Sequence, residues 1–356
     1  MKKAIAAILL AVCMLLSMTG CELDLMDALT DFAKGISAKL EESENSSISR
    51  KETVHEIPKQ DRSGRSISVP AQIERMVSLL PGTTEMLVDL GFGAKLVGLD
   101  AQSAAVDGVP ANLPEFDGEN PDIEALLELR PDVVFCISVS GAAVGGETSD
   151  ESEESSSSEQ SEPQSEESQT SPSSNDYQKL VDAGICVICI PTAQSIHDIM
   201  EDLLFVAACT QTDETGEAMV KEMIATLATI QEKAAEVSVV RAVYIEEQPL
   251  YAVGNTGLVN EMVKMVGAEN VFDDRLGAFW TTADEVAEQN PDYILTLAGE
   301  DAASEVLNRD GLQEVAAVVG KHVYALDPVR ATRPSHRIMQ VLQEVAAFLY
   351  PSVYGE

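Results

Sequence analysis

The sequence predicts an α/β protein of two lobes, each with a mostly parallel sheet flanked by helices, the two joined by one long helix. Three observations predict it. Short apolar strands alternate with helical segments, a rhythm that gives parallel sheets covered by helices on both faces. The rhythm restarts near residue 241 with the same residue pattern. Between the two copies, 213–237 carries Val220, Met223, Ile224, Leu227, Ile230 and Ala234 along one helical stripe. With 356 residues the chain is long enough for each lobe to bury its own core.

Taken in order, residues 1–20 read as a secretory signal. Lys2 and Lys3 form a charged start, and 4–16 is an apolar run of 13 residues. That run is too short for a bilayer core of roughly 30 Å at about 1.5 Å per residue. It ends in Met18-Thr19-Gly20-Cys21, which resembles the bacterial lipoprotein box and implies diacylation of Cys21; two acyl chains make a stable anchor. Residues 21–60 then form a tether. Leu25, Leu29, Phe32, Ile36 and Leu40 fall at helical spacing, and 41–52 turns Ser- and Glu-rich.

The first lobe is expected over 61–211. It opens with a small hairpin around 61–69 and a buried strand at 75–80, and Thr83 or Thr84 then caps a helix that ends at Gly91. A strand at 97–99, a helix opened by Pro121 and continuing to 129, and apolar strands at 133–137 and 186–190 complete it. Residues 147–175 interrupt this series with Ser, Glu, Gln and Pro and no aliphatic or aromatic side chain, so they cannot join a core. Ser195-x-x-Asp198 starts a further helix to about residue 209, and Thr212 caps the linking helix, assigned to 212–238. The second lobe, 239–356, begins with a strand at 241–245.

The repeat carries the most information. Ile123-Glu124-Ala125-Leu126-Leu127-Glu128 precedes Pro131-Asp132 and an apolar strand, and Ala283-Asp284-Glu285-Val286-Ala287-Glu288 precedes Pro291-Asp292 and another. Glu124 and Asp284 each stand seven residues before the Pro. Upstream, Thr83-Thr84-Glu85-Met86 is echoed by Val259-Asn260-Glu261-Met262. Two lobes on one plan imply a ligand cleft between them.

These residues resemble the solute-binding component of iron-siderophore, haem and vitamin B12 ABC importers. The resemblance rests on Asp61-x-x-Gly64-Arg65, the run from Arg75 through Thr83-Thr84-Glu85, Leu90-Gly91 leading to Val97-Gly98, Glu124 with Leu129-Arg130-Pro131-Asp132, Gly267-Ala268-Glu269-Asn270-Val271, Asn290-Pro291-Asp292 and the closing 337–351. It spans the chain from Asp61 onward, apart from the Ser/Glu segment. It implies a protein held at the extracytoplasmic face of the cell membrane by its lipid, which captures a metal chelate and hands it to an ABC permease and its ATPase. It further implies that an acid on each lobe pairs with permease arginines, here Glu124 and Asp284 or its neighbour Glu285. A single acidic pair of this kind is also what any solvated helix face shows.

For the ligand, the resemblance points to strand-end loops. Phe116, Tyr251 and Trp280 sit there in a chain only 4% aromatic, and flat rings suit a corrin, a porphyrin or a catecholate. Each alone also fits a core or rim position. Arg330 and Arg333 follow the strand at 323–326, where guanidinium groups suit anionic oxygens; Arg337 fits better as a partner of the acidic surface. Trp280 and Phe116 lean towards a corrinoid, the arginines towards an anionic ferric chelate.

Other chemistries fit poorly. A net charge of −37 argues against nucleic acid, although 147–176 alone supplies ten carboxylates and no Lys or Arg. His55, His197, His322 and His336 are scattered without metal-ligand spacing. Cys186-x-x-Cys189 lies in a strand, where residues three apart face opposite ways, so both read as small buried hydrophobes. Gly91-x-Gly93 follows a helix and lacks a third Gly, and Ser140 lacks the glycines of a nucleophile elbow. No catalytic residues and no resident cofactor or protein-bound metal are expected. The alternative readings are a cell-surface enzyme, or a sensory or adhesion module, on the same scaffold.

Overall fold

The computed structural model describes residues 57–137 and 174–355. Cys21, the stretch 25–40, His55, Ser140 and residues 147–173 lie outside the described residues. The chain forms two compact units, one of 57–192 with 205–212, the other of 193–204 with 213–355.

The first unit is built on an all-parallel sheet of β1 (Met76–Ser78), β2 (Leu96–Asp100), β3 (Glu115–Phe116), β4 (Val133–Ile137) and β5 (Cys186–Ile190), in the order β3-β2-β1-β4-β5. Strands of a parallel sheet lie under helices and read as continuous apolar runs, and β1 and β5 are buried at every residue. Helix α1 (Pro81–Leu87) follows β1, and α2 (Ile123–Leu129) and α3 (Ser174–Asp182) follow later in the chain. Leu126, Val134, Tyr177 and Leu180 form one apolar cluster with Val77 and Leu79. The close approach of α2 to the sheet needs Gly98, since a Cβ there would meet Leu129 and Phe116 at 2.9 Å.

Several boundaries differ from the sequence expectation. Thr83 and Thr84 do not cap α1. Pro81, with its fixed φ, occupies the first turn, and Thr84 turns inward to donate to Ser78 Oγ at 2.8 Å. Pro121 likewise lies outside α2, whose N-cap is Asp122, accepting from the Ala125 N–H at 3.1 Å. Ser174 and Asn175, expected within the polar segment, begin α3. In contrast, Ser195 and Asp198 cap α4 (Ile196–Thr210) reciprocally: Ser195 Oγ accepts from the Asp198 N–H, and the Asp198 carboxylate accepts from the Ser195 N–H. Helix α5 (Asp213–Ala234) buries Val220, Met223, Leu227 and Ile230 along the expected stripe and packs with the second unit. Its 22 residues make it about 33 Å long.

The second unit has a mixed sheet: β6 (Ala242–Gln248), β7 (Tyr251–Val253), β8 (Glu269–Asn270), β9 (Ala278–Trp280), β10 (Tyr293–Thr296) and β11 (Val323–Ala325), in the order β11-β10-β6-β7-β9 with β8 against β6. The pairs β10–β11, β10–β6 and β6–β8 are parallel, whereas β7 runs antiparallel to both β6 and β9. That antiparallel arm was not expected. Helix α6 (Leu258–Met265) lies between β7 and β8 in the chain, and α7 (Ala283–Gln289) between β9 and β10.

The two Pro-Asp pairs do the same work in both units. Helix α2 ends on Arg130 and α7 on Asn290, each left-handed with φ 45°. The chain then turns through Pro and places the Asp beside the start of the neighbouring parallel strand. Asp132 Oδ2 accepts from the Glu74 and Arg75 N–H groups at 2.8 and 2.9 Å, and its own N–H donates to Arg75 O. Asp292 Oδ2 accepts from the Ala242 N–H at 3.1 Å, and its N–H donates to Ala242 O. Each carboxylate satisfies strand-start donors that the ladder leaves unpaired. Asp132→Ala and Asp292→Ala should each lower stability in urea unfolding by about 1–3 kcal/mol, and the Asn variants, which keep an acceptor, by less.

The second repeated element also buries an acid. Glu85 on α1 and Glu261 on α6 are both buried. Glu261 Oε2 accepts from the Ile196 N–H at 2.8 Å at the start of α4, and its Oε1 has no hydrogen-bond partner among the described residues. Burial pushes the Glu261 carboxyl up to about 7; the Ile196 N–H opposes that rise and the Asp198 charge adds to it. A carboxyl raised on folding favours the native state while protonated, so stability should fall as pH rises from about 4.5 to about 7. Denaturant titrations across that range should show this slope, on the order of 3 kcal/mol in total, and Glu261→Gln should flatten it.

Candidate functional site

Two of the candidate ligand residues, Tyr251 and Trp280, meet on the antiparallel arm of the second unit. Tyr251 on β7 pairs in register with Trp280 on β9, and their rings lie 4.8 Å apart, tilted by 56°. Alternation along β9 separates two roles. Phe279 turns inward, edge-on to Phe272 at 5.3 Å, while Trp280 remains 70% exposed. A tryptophan so exposed, held against a tyrosine on paired strands, is an apolar surface with a fixed orientation. Leu276, at 83% exposure, precedes β9.

A buried carboxylate holds this arm in place. Glu246, in β6 just before the hairpin, is fully buried. Its Oε2 accepts from the Leu250 N–H at 3.1 Å, fixing a turn residue whose φ is 59°. Arg309 forks onto both of its oxygens, and the hydroxyls of Tyr244 and Thr296 donate to it at 3.3 Å. On the far side, Gly254 donates to Gly277 O at 2.8 Å and has no room for a Cβ against the carbonyls of Arg275 and Gly277. Arg275 lies over the rings of Phe272 and Phe279 and pairs with Glu285 at 3.3 Å. Sequence reasoning missed Glu246 and Arg309. The visible signal was an acid ending an otherwise apolar strand, followed by a Pro-containing turn.

The other expected ligand residues are placed differently. Phe116 is buried in the core cluster of the first unit, together with Val77, Leu79 and Leu126, and does not lie on the aromatic arm. Arg330 forks onto Glu344 at 2.7 and 3.4 Å, and that carboxylate raises the guanidinium further above its already high range. Arg333 is buried and Arg337 half-buried. The expected leaning of Arg330 and Arg333 towards an anionic ligand therefore meets one side chain already engaged by an acid and one that is covered.

The acidic pair is placed alike in the two units. Glu124 is the second residue of α2 and Asp284 the second residue of α7; both are exposed, and Leu126 and Val286 are buried at the same offset beneath them. Glu124 lies 3.5 Å from Lys179. Glu285 is occupied locally. Its carboxylate accepts from Thr281 Oγ1 and from the Thr282 N–H, while Thr282 Oγ1 caps the Glu285 N–H in return. The Thr281 hydroxyl and Arg275 hold its carboxyl below the usual range. Of the two alternatives in the second unit, Asp284 is the one free of such capping bonds. The cysteines Cys136, Cys186, Cys189 and Cys209 are buried thiols. Among the described residues, no group of three His, Cys, Asp or Glu side chains is arranged to hold a metal ion.

Both α/β units are built with the same Pro-Asp corner, and the second carries an exposed aromatic arm. The chain belongs to the periplasmic binding protein family, which it matches over residues 76–329. It is 27% identical to a protein of Bacillus subtilis named an uncharacterized ABC transporter substrate-binding lipoprotein, YvrC, over 88% of this chain and 91% of that one. A vitamin B12-binding protein of Vibrio campbellii is 20% identical over 78% and 88% of the two chains. Among solved structures, the haem-binding RhuT of Roseiflexus has a TM-score of 0.63 at 18% identity, covering 79% of this chain and all of that one. The molybdate-binding MolA of Haemophilus influenzae gives 0.63 at 20%, with 84% and 92% covered. These structures establish the shared bilobal α/β fold, and the chain is a solute-binding protein of the ABC-importer type.

Glu246→Ala should destabilise the protein by about 3 kcal/mol or more, because it strands the Arg309 charge, and should raise the acrylamide quenching of Trp280. Glu124→Ala and Asp284→Ala, at exposed helix positions, should each change stability by under about 0.5 kcal/mol in the same urea titrations.

Proposed function

We propose that this chain is a lipid-anchored extracytoplasmic binding protein that captures a metal chelate with a flat ring system and delivers it to an ABC permease. The observation that carries the ligand class is the Trp280–Tyr251 pair, an exposed aromatic face fixed on a hairpin arm. Such a face gains from covering the apolar plane of a corrin or porphyrin. A corrinoid or haem is preferred over a strongly anionic ferric siderophore because Arg330 is engaged by Glu344 and Arg333 is buried. Relatives named for vitamin B12 and haem binding support the same class. The anchor reading rests on Met18-Thr19-Gly20-Cys21 and is supported by the lipoprotein name of the Bacillus relative.

Delivery is assigned to Glu124 and Asp284. Each projects from the second position of a short helix held at its far end by a Pro-Asp corner. Exposed carboxylates on such supports suit pairing with cationic side chains of a permease. Among the described residues no helix is long and apolar enough to cross a membrane; the attachment proposed is the acylated Cys21.

Titration with cyanocobalamin, haemin and a ferric catecholate should quench Trp280 fluorescence with at least one of the first two, and Trp280→Phe should weaken that ligand about tenfold or more. No binding to any of the three would overturn the ligand assignment. In cells, the Glu124→Ala, Asp284→Ala double variant should lose uptake at unchanged ligand affinity; a matching loss of affinity would contradict the docking role.

A further inference from the structure

The Cys-x-x-Cys spacing in β5 draws the eye to Cys186 and Cys189, but the sheet pairs Cys189 with a different cysteine. Cys136 on β4 and Cys189 on β5 are direct partners in the parallel ladder, whereas Cys186 is opposite Val133. Adjacent strands run about 4.8 Å apart, within the Cα separation that disulfides bridge. The Cys136 and Cys189 sulfurs lie 3.0 Å from each other, and both residues are buried.

The N-terminal turn closes over this pair. Arg65 Nη2 lies 2.6 Å from Cys189 Sγ. Asp61 accepts from Arg65 Nε at 3.0 Å and from the Cys189 N–H at 3.1 Å, tying the turn to β5 beside the sulfur. The Cys136 thiol, donating to Cys189, and the Arg65 charge pull the Cys189 thiol down, while that same donation and burial push Cys136 up. In the folded protein Cys189 is thereby the more acidic thiol of the pair and Cys136 the less acidic one.

We propose that Cys136 and Cys189 form a cross-strand redox pair, oxidised to a disulfide by exchange with an external disulfide, and that the Asp61–Arg65 turn shields the product. The Cys189 thiolate attacks one sulfur of the external disulfide, and the other leaves as a thiolate. Cys136 then loses its proton and attacks Cys189 Sγ, expelling the second external thiolate. Two protein thiols and one external disulfide become one protein disulfide and two external thiols, with both protons passing to the released thiolates. Because both sulfurs lie beneath the turn, the exchange belongs to folding, before the turn closes. An extracytoplasmic address suits this chemistry. The bond would clip the base of the connection that contains the Ser/Glu-rich segment, removing the freedom of a long loop from the unfolded chain.

The test is oxidative refolding of the full chain in mixtures of oxidised and reduced glutathione, followed by alkylation, digestion and mass spectrometry. The expected result is a Cys136–Cys189 linked peptide pair, with Cys186 and Cys209 alkylated. The oxidised form should melt higher than the reduced form by about 5 °C or more. Cys136→Ser should remove the linkage and that difference, and Cys186→Ser should leave both. Cys136 and Cys189 both alkylated at the most oxidising ratio, or a Cys186–Cys189 linkage, would overturn the proposal. If Cys136→Ser does not fold, the peptide map of the unaltered chain decides alone. Thiol mapping needs no ligand, so its outcome is independent of the chelate assignment.

Discussion

A carboxylate one residue past a proline sets the geometry on which the rest of this protein is built. Asp132 and Asp292 each bond both ways to the start of a neighbouring parallel strand, through the side-chain oxygen and through the backbone N–H. A parallel ladder leaves such strand starts with unpaired donors, and each bond that meets one contributes about 1 kcal/mol. By meeting that need at one point, the corner fixes where the preceding helix ends and in which register the two strands meet. The left-handed residue before each proline, Arg130 or Asn290, is the turn that makes the approach possible. Everything proposed for docking depends on this. Glu124 and Asp284 occupy matching positions because the helices that carry them are stopped at matching corners.

The same economy of fixed points explains the aromatic arm. A hairpin end is ordinarily free to move, yet β7 is tied from beneath by the Glu246 carboxylate at the Leu250 N–H and from the side by the close backbone approach at Gly254. Glu246 is itself saturated by Arg309, Tyr244 and Thr296, so its burial leaves no oxygen without a partner. The outcome is that Trp280 faces outward without being loose. Exposed aromatic surface of this kind has a desolvation driving force towards a flat partner and little orientational freedom to lose.

Much of this was legible in the sequence. The strand–helix alternation, the restart after α5, and the paired runs with an acid seven residues before Pro-Asp announced two α/β units, because apolar periodicity and Pro-Asp corners are local signals. Helix starts were less legible. Thr83, Thr84 and Pro121 looked like start signals, but the fold uses Pro81 and Asp122 instead, and which candidate wins depends on packing. The burial of Phe116 against the Gly98 surface was not legible, because a strand-end aromatic looks alike whether it faces outward or into the core. Non-local pairings left no local trace. The Glu246–Arg309 pair spans 63 positions, and Cys189 meets Cys136 across strands while its sequence neighbour Cys186 faces away.

The central claim is that a ring-bearing metal chelate docks on the arm formed by Tyr251–Val253 and Ala278–Trp280. Hydrogen–deuterium exchange with and without saturating cyanocobalamin or haemin reads that surface directly. The account predicts slowed exchange concentrated in those two strands and the turn through Leu250. Tight binding that left exchange in the arm unchanged and protected other strands instead would contradict it.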